Sequence, residues 1–226
     1  MHHSTVHADN PTRVVFVTGG TGYIGRRLVT ALLARRHTVR VLARPGSESR
    51  VAAGAQLVTG DALHGLSYAA KIGPADTFVH LVGVANPGPA KAAQFQAVDL
   101  VSIETAVPAA VTAGIRHFVY LSVAQPAPVM RAYVAVRATG ESLLRESGLN
   151  ATFMRPWYVI GPGHRWPLLL IPGYAIGRML PATRETAIRL GLVSLGEIVR
   201  TLVHAVEQPR EGVHIVDVPQ IRKARL

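Results

Sequence analysis

The sequence predicts an α/β protein with a doubly wound, mostly parallel sheet, and three observations carry that prediction. Short β-branched apolar runs alternate with longer segments whose apolar residues recur at helical spacing. A glycine-rich turn, Gly19-Gly20-Thr21-Gly22-Tyr23-Ile24-Gly25, stands between the first such run and the first helical segment. The 226 residues are 49% hydrophobic and only 16% charged, enough apolar material for one large core and too little charge for a disordered chain.

Strands are predicted at 13–18, 38–43, 56–59, 77–82, 117–122, 151–155 and 213–218. The first helix is expected over 23–35, where Ile24, Leu28, Ala31 and Leu32 share one face, and the Ala-rich stretches 91–113 and 133–147 are the next crossovers. Ser194-Leu195-Gly196-Glu197 has capping-box spacing ahead of Ile198, Leu202, Val203 and Val206, so a further helix is expected to run to about Gln208. Between these, 161–186 breaks the rhythm with Gly161, Pro162, Gly163, Pro167, Pro172, Gly173 and Pro181, and reads as a loop or lid on the substrate side of the sheet. Residues 1–12 read as a flexible tail and 13–226 as a single domain.

Several function classes fall away on composition. There is no cysteine, which excludes a disulfide framework and thiolate catalysis and fits a cytoplasmic protein. The N-terminus has no apolar run of signal-peptide type, and Pro167 to Leu180 falls short of the roughly 20 residues a spanning helix needs, so no membrane span is expected. His37, His64, His80, His117, His204 and His214 lack ligand spacing, so no metal is expected. The net charge of +11, from 24 Lys and Arg against 13 Asp and Glu, favours anionic ligands. Because the arginines are scattered and not interleaved with stacking aromatics, no specific nucleic-acid partner is expected.

The glycine turn is a physical device. A strand that must reverse into a helix while its backbone approaches a pyrophosphate has no room for a Cβ, and Gly19, Gly22 and Gly25 meet that demand. The amides near Tyr23 and Ile24 then face the phosphates at the helix N-terminus, with Thr21 in the turn. The result is a dinucleotide-binding Rossmann fold.

At these residues the chain resembles the short-chain dehydrogenase/reductase superfamily, in its extended and atypical branches. The match is close over 14–25 and looser to about Pro219, and because the chain is shorter than the extended members the resemblance implies a reduced C-terminal substrate region. The resemblance implies that Asp61, with Ala62 beside it, lies near the adenine, and that His80-Leu81-Val82-Gly83 runs along the cofactor. Phe118 to Ser122 resembles the fifth strand, Tyr133 to Arg137 the active-site helix, and Arg155-Pro156-Trp157 onward the segment beside the nicotinamide. The second strand ends Ala43-Arg44-Pro45 with no acid, so a 2′-phosphate is favoured and NADP is expected over NAD.

In the family a tyrosine exchanges the proton as hydride moves, and a lysine four residues later lowers its pKa and holds the ribose. Residues i and i+4 share one helix face, which puts Tyr133 and Arg137 together, with Arg in place of Lys. Ala124 stands where many extended members carry a substrate-orienting Ser or Thr, leaving Ser122 as the nearby candidate. The catalytic candidates are therefore Tyr133, Arg137 and Ser122, with Arg137 also a ribose or phosphate contact, while His164, Arg165 and Trp166 are candidate substrate contacts. Leu168 to Ile171 are open to three readings: a lipophilic pocket, core packing or a dimer contact.

Three functions are carried forward. The first is an NADP(H)-dependent oxidoreductase on a small molecule. The second is a non-catalytic NAD(P)-binding sensor or accessory protein, motivated by Arg137 and Ala124. The third is an epimerase or dehydratase with tightly held NAD. A homodimer is one open oligomeric state.

Overall fold

In the computed structural model, which describes residues 11–224, seven strands form one sheet in the order β3-β2-β1-β4-β5-β6-β9, every neighbouring pair parallel. The strands are β1 (Val14–Thr18), β2 (Thr38–Ala43), β3 (Gln56–Thr59), β4 (Thr77–His80), β5 (His117–Leu121), β6 (Asn150–Arg155) and β9 (Val213–Asp217). The order runs outward both ways from β1 and β4, which leaves a crevice at their C-terminal ends. The doubly wound parallel sheet is as the alternating pattern predicts. The expected tail at 1–12 falls largely on residues outside the described ones, apart from Pro11 and Thr12, which are exposed.

Side chains alternate across each strand, so one sheet buries two cores. Val15, Val17, Val39, Val41, Val79 and Val119 face α1 (Tyr23–Ala34) and α7 (Leu195–Glu207), which contribute Leu28, Leu32, Leu202 and Val206. The opposite face carries Phe16, Phe78 and Phe118 in register on β1, β4 and β5. Their rings lie 5.1 and 4.8 Å apart, a cross-strand aromatic ladder in which each buried ring is worth roughly 1.5–3 kcal/mol. That face is covered by α3 (Val101–Thr112), through Ile103, Ala106 and Ala110, and by α4 (Arg131–Glu146), through Leu144.

The expected crossover at 91–113 is one helical stretch of mixed pitch. A short α2 (Ala92–Gln94) widens into a π-turn over Phe95–Leu100 before α3 begins. The capping box forms as its spacing demands: Ser194 Oγ accepts from the Glu197 amide at 3.2 Å, and Glu197 Oε2 accepts from the Ser194 amide at 2.6 Å.

The segment 161–186 is not the loop its prolines suggest. It holds a 3-10 turn, Trp166–Leu170, then α5 (Ile171–Met179) and α6 (Pro181–Arg189). Pro167, Pro172 and Pro181 sit in the first turns, where a missing N–H costs no hydrogen bond and a fixed φ favours helix. Two three-residue strands, β7 (Tyr158–Ile160) and β8 (Leu192–Ser194), pair in parallel on either side of this arm, and α8 (Val218–Lys223) follows β9. Among the described residues no helix is long and apolar enough to cross a membrane, and no group of three or more His, Asp or Glu is placed to hold a metal ion.

Candidate functional site

The glycine turn closes on itself. Gly19 has φ +73°, in the left-handed region, and a Cβ there would lie 2.7 Å from the Leu81 carbonyl carbon. Gly22 N donates to Gly19 O at 3.0 Å, and a Cβ on Gly25 would overlap Gly19 O, so the start of α1 packs directly on the end of β1. Gly22 caps α1 without a side-chain acceptor, and no acid occupies the first turn. The first helical hydrogen bond, Arg26 N to Gly22 O, leaves the amides of Tyr23, Ile24 and Gly25 without intrahelical acceptors. The Ile24 side chain is partly buried and packs against the core shared by α1 and the sheet.

Beside this turn runs a groove of about 280 Å³. Gly19, Thr21 and Gly22 form one wall, Asp61 and Ala62 after β3 another, and Leu81, Val82 and Gly83 after β4 a third. Arg44 lines it from the end of β2, joined by Ser47 and Arg50. Sequence reasoning found Arg44 and missed Ser47 and Arg50, because a 3-10 turn at Glu48–Arg50 folds the chain back toward the groove. Asp61 does double duty: while lining the groove, its Oδ1 accepts from Leu63 N at 3.0 Å.

Tyr133 and Arg137 come together as the helical spacing requires, the guanidinium carbon 5.2 Å from the Tyr133 ring centre. Phe95, from the π-turn, is tilted against that ring, the two centroids 5.0 Å apart. Arg137 is 3% exposed, and its head group is engaged inward. It donates to Leu121 O at 2.9 Å, to Val82 O at 3.2 Å and to Asp99 Oδ1 at 2.5 Å. Asp99 also accepts from the Val84 amide at 3.0 Å. Burial pushes the Asp99 carboxyl up, while burial of Arg137 is outweighed by Tyr133, Tyr120 and Asp99, which together hold its guanidinium above the usual value. The expected ribose contact does not fit this placement: Arg137 ties the ends of β4 and β5 together and is not free to reach a sugar while those bonds stand.

Ser122 does not line the groove either. It is buried, and its hydroxyl donates to Glu141 Oε1 at 2.6 Å, in a cluster with Gln125 and a bidentate Arg155. Burial raises the Glu141 carboxyl, but hydrogen bonds from Arg155 and Ser122 outweigh it and leave the group below its ordinary value. Pro156 O accepts from Ala124 N at 2.9 Å, so Pro156 aligns the ends of β5 and β6 and is not part of the groove wall.

His164 and Trp166 gather near the first turn of α1, the His164 ring 6.4 Å from Tyr23 and 6.5 Å from Trp166, with Arg165 exposed between them. Tyr23 donates its hydroxyl to Pro162 O at 3.1 Å, and a side chain on Gly161 would displace that phenol. A second, mostly apolar cavity of about 370 Å³ lies under α5 and α6, walled by Val129, Trp157, Tyr158, Leu170, Tyr174 and Leu190. Of the run Leu168 to Ile171, only Leu170 faces it; Leu168, Leu169 and Ile171 are exposed.

Residues 19–163 match a family model described as NAD(P)H-binding. The chain is similar to a ceramide reductase of Caulobacter vibrioides, 29% identical over 96% of this chain and 67% of that protein. It is also similar to a 4-hydroxy-2-methyl-3-oxo-4-farnesyl-3,4-dihydroquinoline-1-oxide ketoreductase of Stigmatella aurantiaca, 29% identical over 65% of this chain and half of that protein. Among solved structures, the Bordetella bronchiseptica enzyme WbmH in complex with NAD+ superposes with a TM-score of 0.68 at 20% identity, covering 92% of this chain and 76% of that one. A UDP-galactose 4-epimerase superposes with a TM-score of 0.67 at 19% identity, covering 90% of this chain and 77% of that one, a likeness of fold. With its glycine turn, its groove at the β1/β4 crevice and a family match over most of its length, the chain belongs to the NAD(P)H-binding family of Rossmann-fold proteins.

Proposed function

We propose that the protein is an NADP(H)-dependent oxidoreductase that interconverts a ketone and an alcohol on a largely apolar substrate. The observation that carries this reading is a phenol, Tyr133, held one helical turn from a permanently charged guanidinium, on the helix whose Arg137 bonds the strand end lining the groove. The nicotinamide, when bound, supplies or accepts the hydride. Tyr133 then passes its phenolic proton to the carbonyl oxygen, or takes the alcohol proton in the reverse direction, its ring held in place against the Arg137 guanidinium. Gly83, which lines the groove after β4, has no room for a side chain, because the Arg137 guanidinium occupies the space its Cβ would need.

The backbone cradle fits a dinucleotide because Gly19 and Gly25 leave no room for anything bulkier than backbone, and the uncapped α1 N-terminus favours an anion. NADP is preferred because Arg44 and Arg50 both line the end of the groove at β2, where a 2′-phosphate would be neutralised. The apolar cavity supports a substrate with a large hydrocarbon part. The relatives' names point the same way: a ceramide, a farnesyl-bearing quinoline oxide and a 3-beta-hydroxysteroid. In this reading 13–226 act as one domain, with the helical segment 161–186 as the lid over the substrate.

A second reading, a cofactor-holding protein without turnover, is favoured by the engagement of Arg137 with Asp99 and of Ser122 with Glu141. The two are separated by following NADPH oxidation against a panel of apolar ketones. Turnover that disappears in Tyr133→Phe supports the enzyme; tight NADPH binding with no Tyr133-dependent turnover across the panel supports the holder.

A further inference from the structure

The arm formed by the 3-10 turn, α5 and α6 buries little of its apolar surface. Leu169 is 82% exposed, Met179 81%, Ile176 60% and Leu180 52%, and Trp166 stands half exposed at the arm's start. Neither α5 nor α6 contains a buried residue. Isolated exposed leucines are ordinary on a protein surface, but a contiguous set on one short arm marks an interaction surface.

The charge on and beside this arm is mostly positive. From Ser147 to Arg184 the sequence contains no Asp or Glu, while Arg165, Arg178 and Arg184 are exposed along the same stretch. The arm's single acid, Glu185 on α6, is exposed and lies within ion-pair distance of Arg189 at 3.6 Å, which leaves the arginines in excess. The nine residues of α5 span only about 14 Å at 1.5 Å per residue, too short to cross a bilayer and suited to lying in its interface.

We propose that this arm docks on an anionic lipid surface, its Leu169, Ile176, Met179 and Leu180 side chains entering the headgroup boundary and its arginines meeting lipid phosphates. Charge complementarity selects this occupant over a second copy of the chain. A two-fold dimer through the arm would bring Arg165, Arg178 and Arg184 of both copies face to face, in a protein already at +11. Trp166, half exposed at the end of the apolar set, is the residue type that anchors at a headgroup boundary. Other residues of the same arm, Leu170 of the 3-10 turn, Tyr174 of α5 and Ala187 of α6, wall the apolar cavity. The docking does not depend on the redox reading, and its test uses no substrate.

The experiment is flotation of the full chain with vesicles of phosphatidylcholine alone or mixed with phosphatidylglycerol in about equal amounts, at about 0.1 M salt, where the Debye length is about 10 Å. The wild type is expected to float with the anionic vesicles and stay behind with the neutral ones. In Leu169→Glu/Met179→Glu, both exposed positions, the partition is expected to fall at least about tenfold, with circular dichroism and NADPH affinity unchanged. Failure of the folded wild type to float overturns the proposal, as does equal flotation of wild type and double variant. Equal flotation with neutral vesicles overturns the anionic part. Concentration-dependent dimerisation without vesicles that the double variant abolishes assigns the face to a second copy instead.

Discussion

The Asp99 carboxylate meets the Arg137 guanidinium at 2.5 Å, both side chains almost wholly withdrawn from solvent, and the pair holds the end of β4 against α4. A buried ion pair is weak evidence of net stabilisation, but breaking it from one side strands a charge in a dry site. Asp99→Asn is therefore expected to cost about 3–5 kcal/mol in urea unfolding. Replacing both residues together with apolar ones is expected to cost less than the two single losses added.

The two arginines at the end of β2 bear on cofactor choice. Arg44→Ser combined with Arg50→Ser is expected to weaken NADPH binding by about tenfold or more while changing NADH affinity less than about threefold. Calorimetric titration of both cofactors against wild type and variant reads this directly. A parallel loss for both would place the two cations on a phosphate that NAD and NADP share.

Tyr133→Phe keeps the ring that packs on Phe95 and removes only the proton-carrying oxygen. With any substrate found by the ketone panel, kcat is expected to fall at least about a hundredfold, with NADPH affinity unchanged within about threefold. Unchanged turnover would remove Tyr133 from the chemistry while leaving the cofactor site intact.

Two buried imidazoles set an acid limit on stability. His80 Nε2 lies 3.1 Å from Ser102 Oγ, whose own proton goes to Asp99 O at 3.0 Å, so the ring donates there. Its Nδ1, 2.9 Å from Thr18 Oγ1, is left as the acceptor. Burial, with Arg137 nearby, lowers His80 to about 3, and burial, with Arg13 and His214, lowers His117 to about 4. The unfolded chain takes up these protons near 6.5 and the folded one does not. Their contribution is thus fully present above about pH 6.5 and is lost as pH falls toward the folded values. The slope is about 1.4 kcal/mol per pH unit for each ring. Urea midpoints measured from about pH 7.5 to 5 should fall, and His80→Asn, though less stable throughout, should show the shallower slope. Glu141, also depressed, adds to the loss only below about pH 4.5.

The sheet was legible because its strands are short β-branched runs and its helices carry a three-to-four residue period; Val15, Val17, Val39 and Val41 announce one buried face without tertiary information. The glycine turn and the Ser194 capping box were legible because each is a local device complete within a few residues. What escaped depends on distance or context. Asp99 lies 38 residues from Arg137 and reaches it from a π-turn, and no spacing rule joins the two. Pro167, Pro172 and Pro181 read as breakers when they are helix starts, a difference settled only by the residues downstream of each proline. β7 and β8, three residues each, have too few residues for any periodicity to show.

The core between the sheet and α1 has a consequence for synthesis on the ribosome. Leu28 and Leu32, from the start of the chain, share their cluster with Leu202, Val206 and Ile221 from its end. Strands β1 to β6 can leave the exit tunnel with α1 packed on this face and still have the part that α7 covers open. Such a nascent chain presents part of a sheet of valines to chaperones and to its neighbours on the polysome until α7 has left the tunnel and packed.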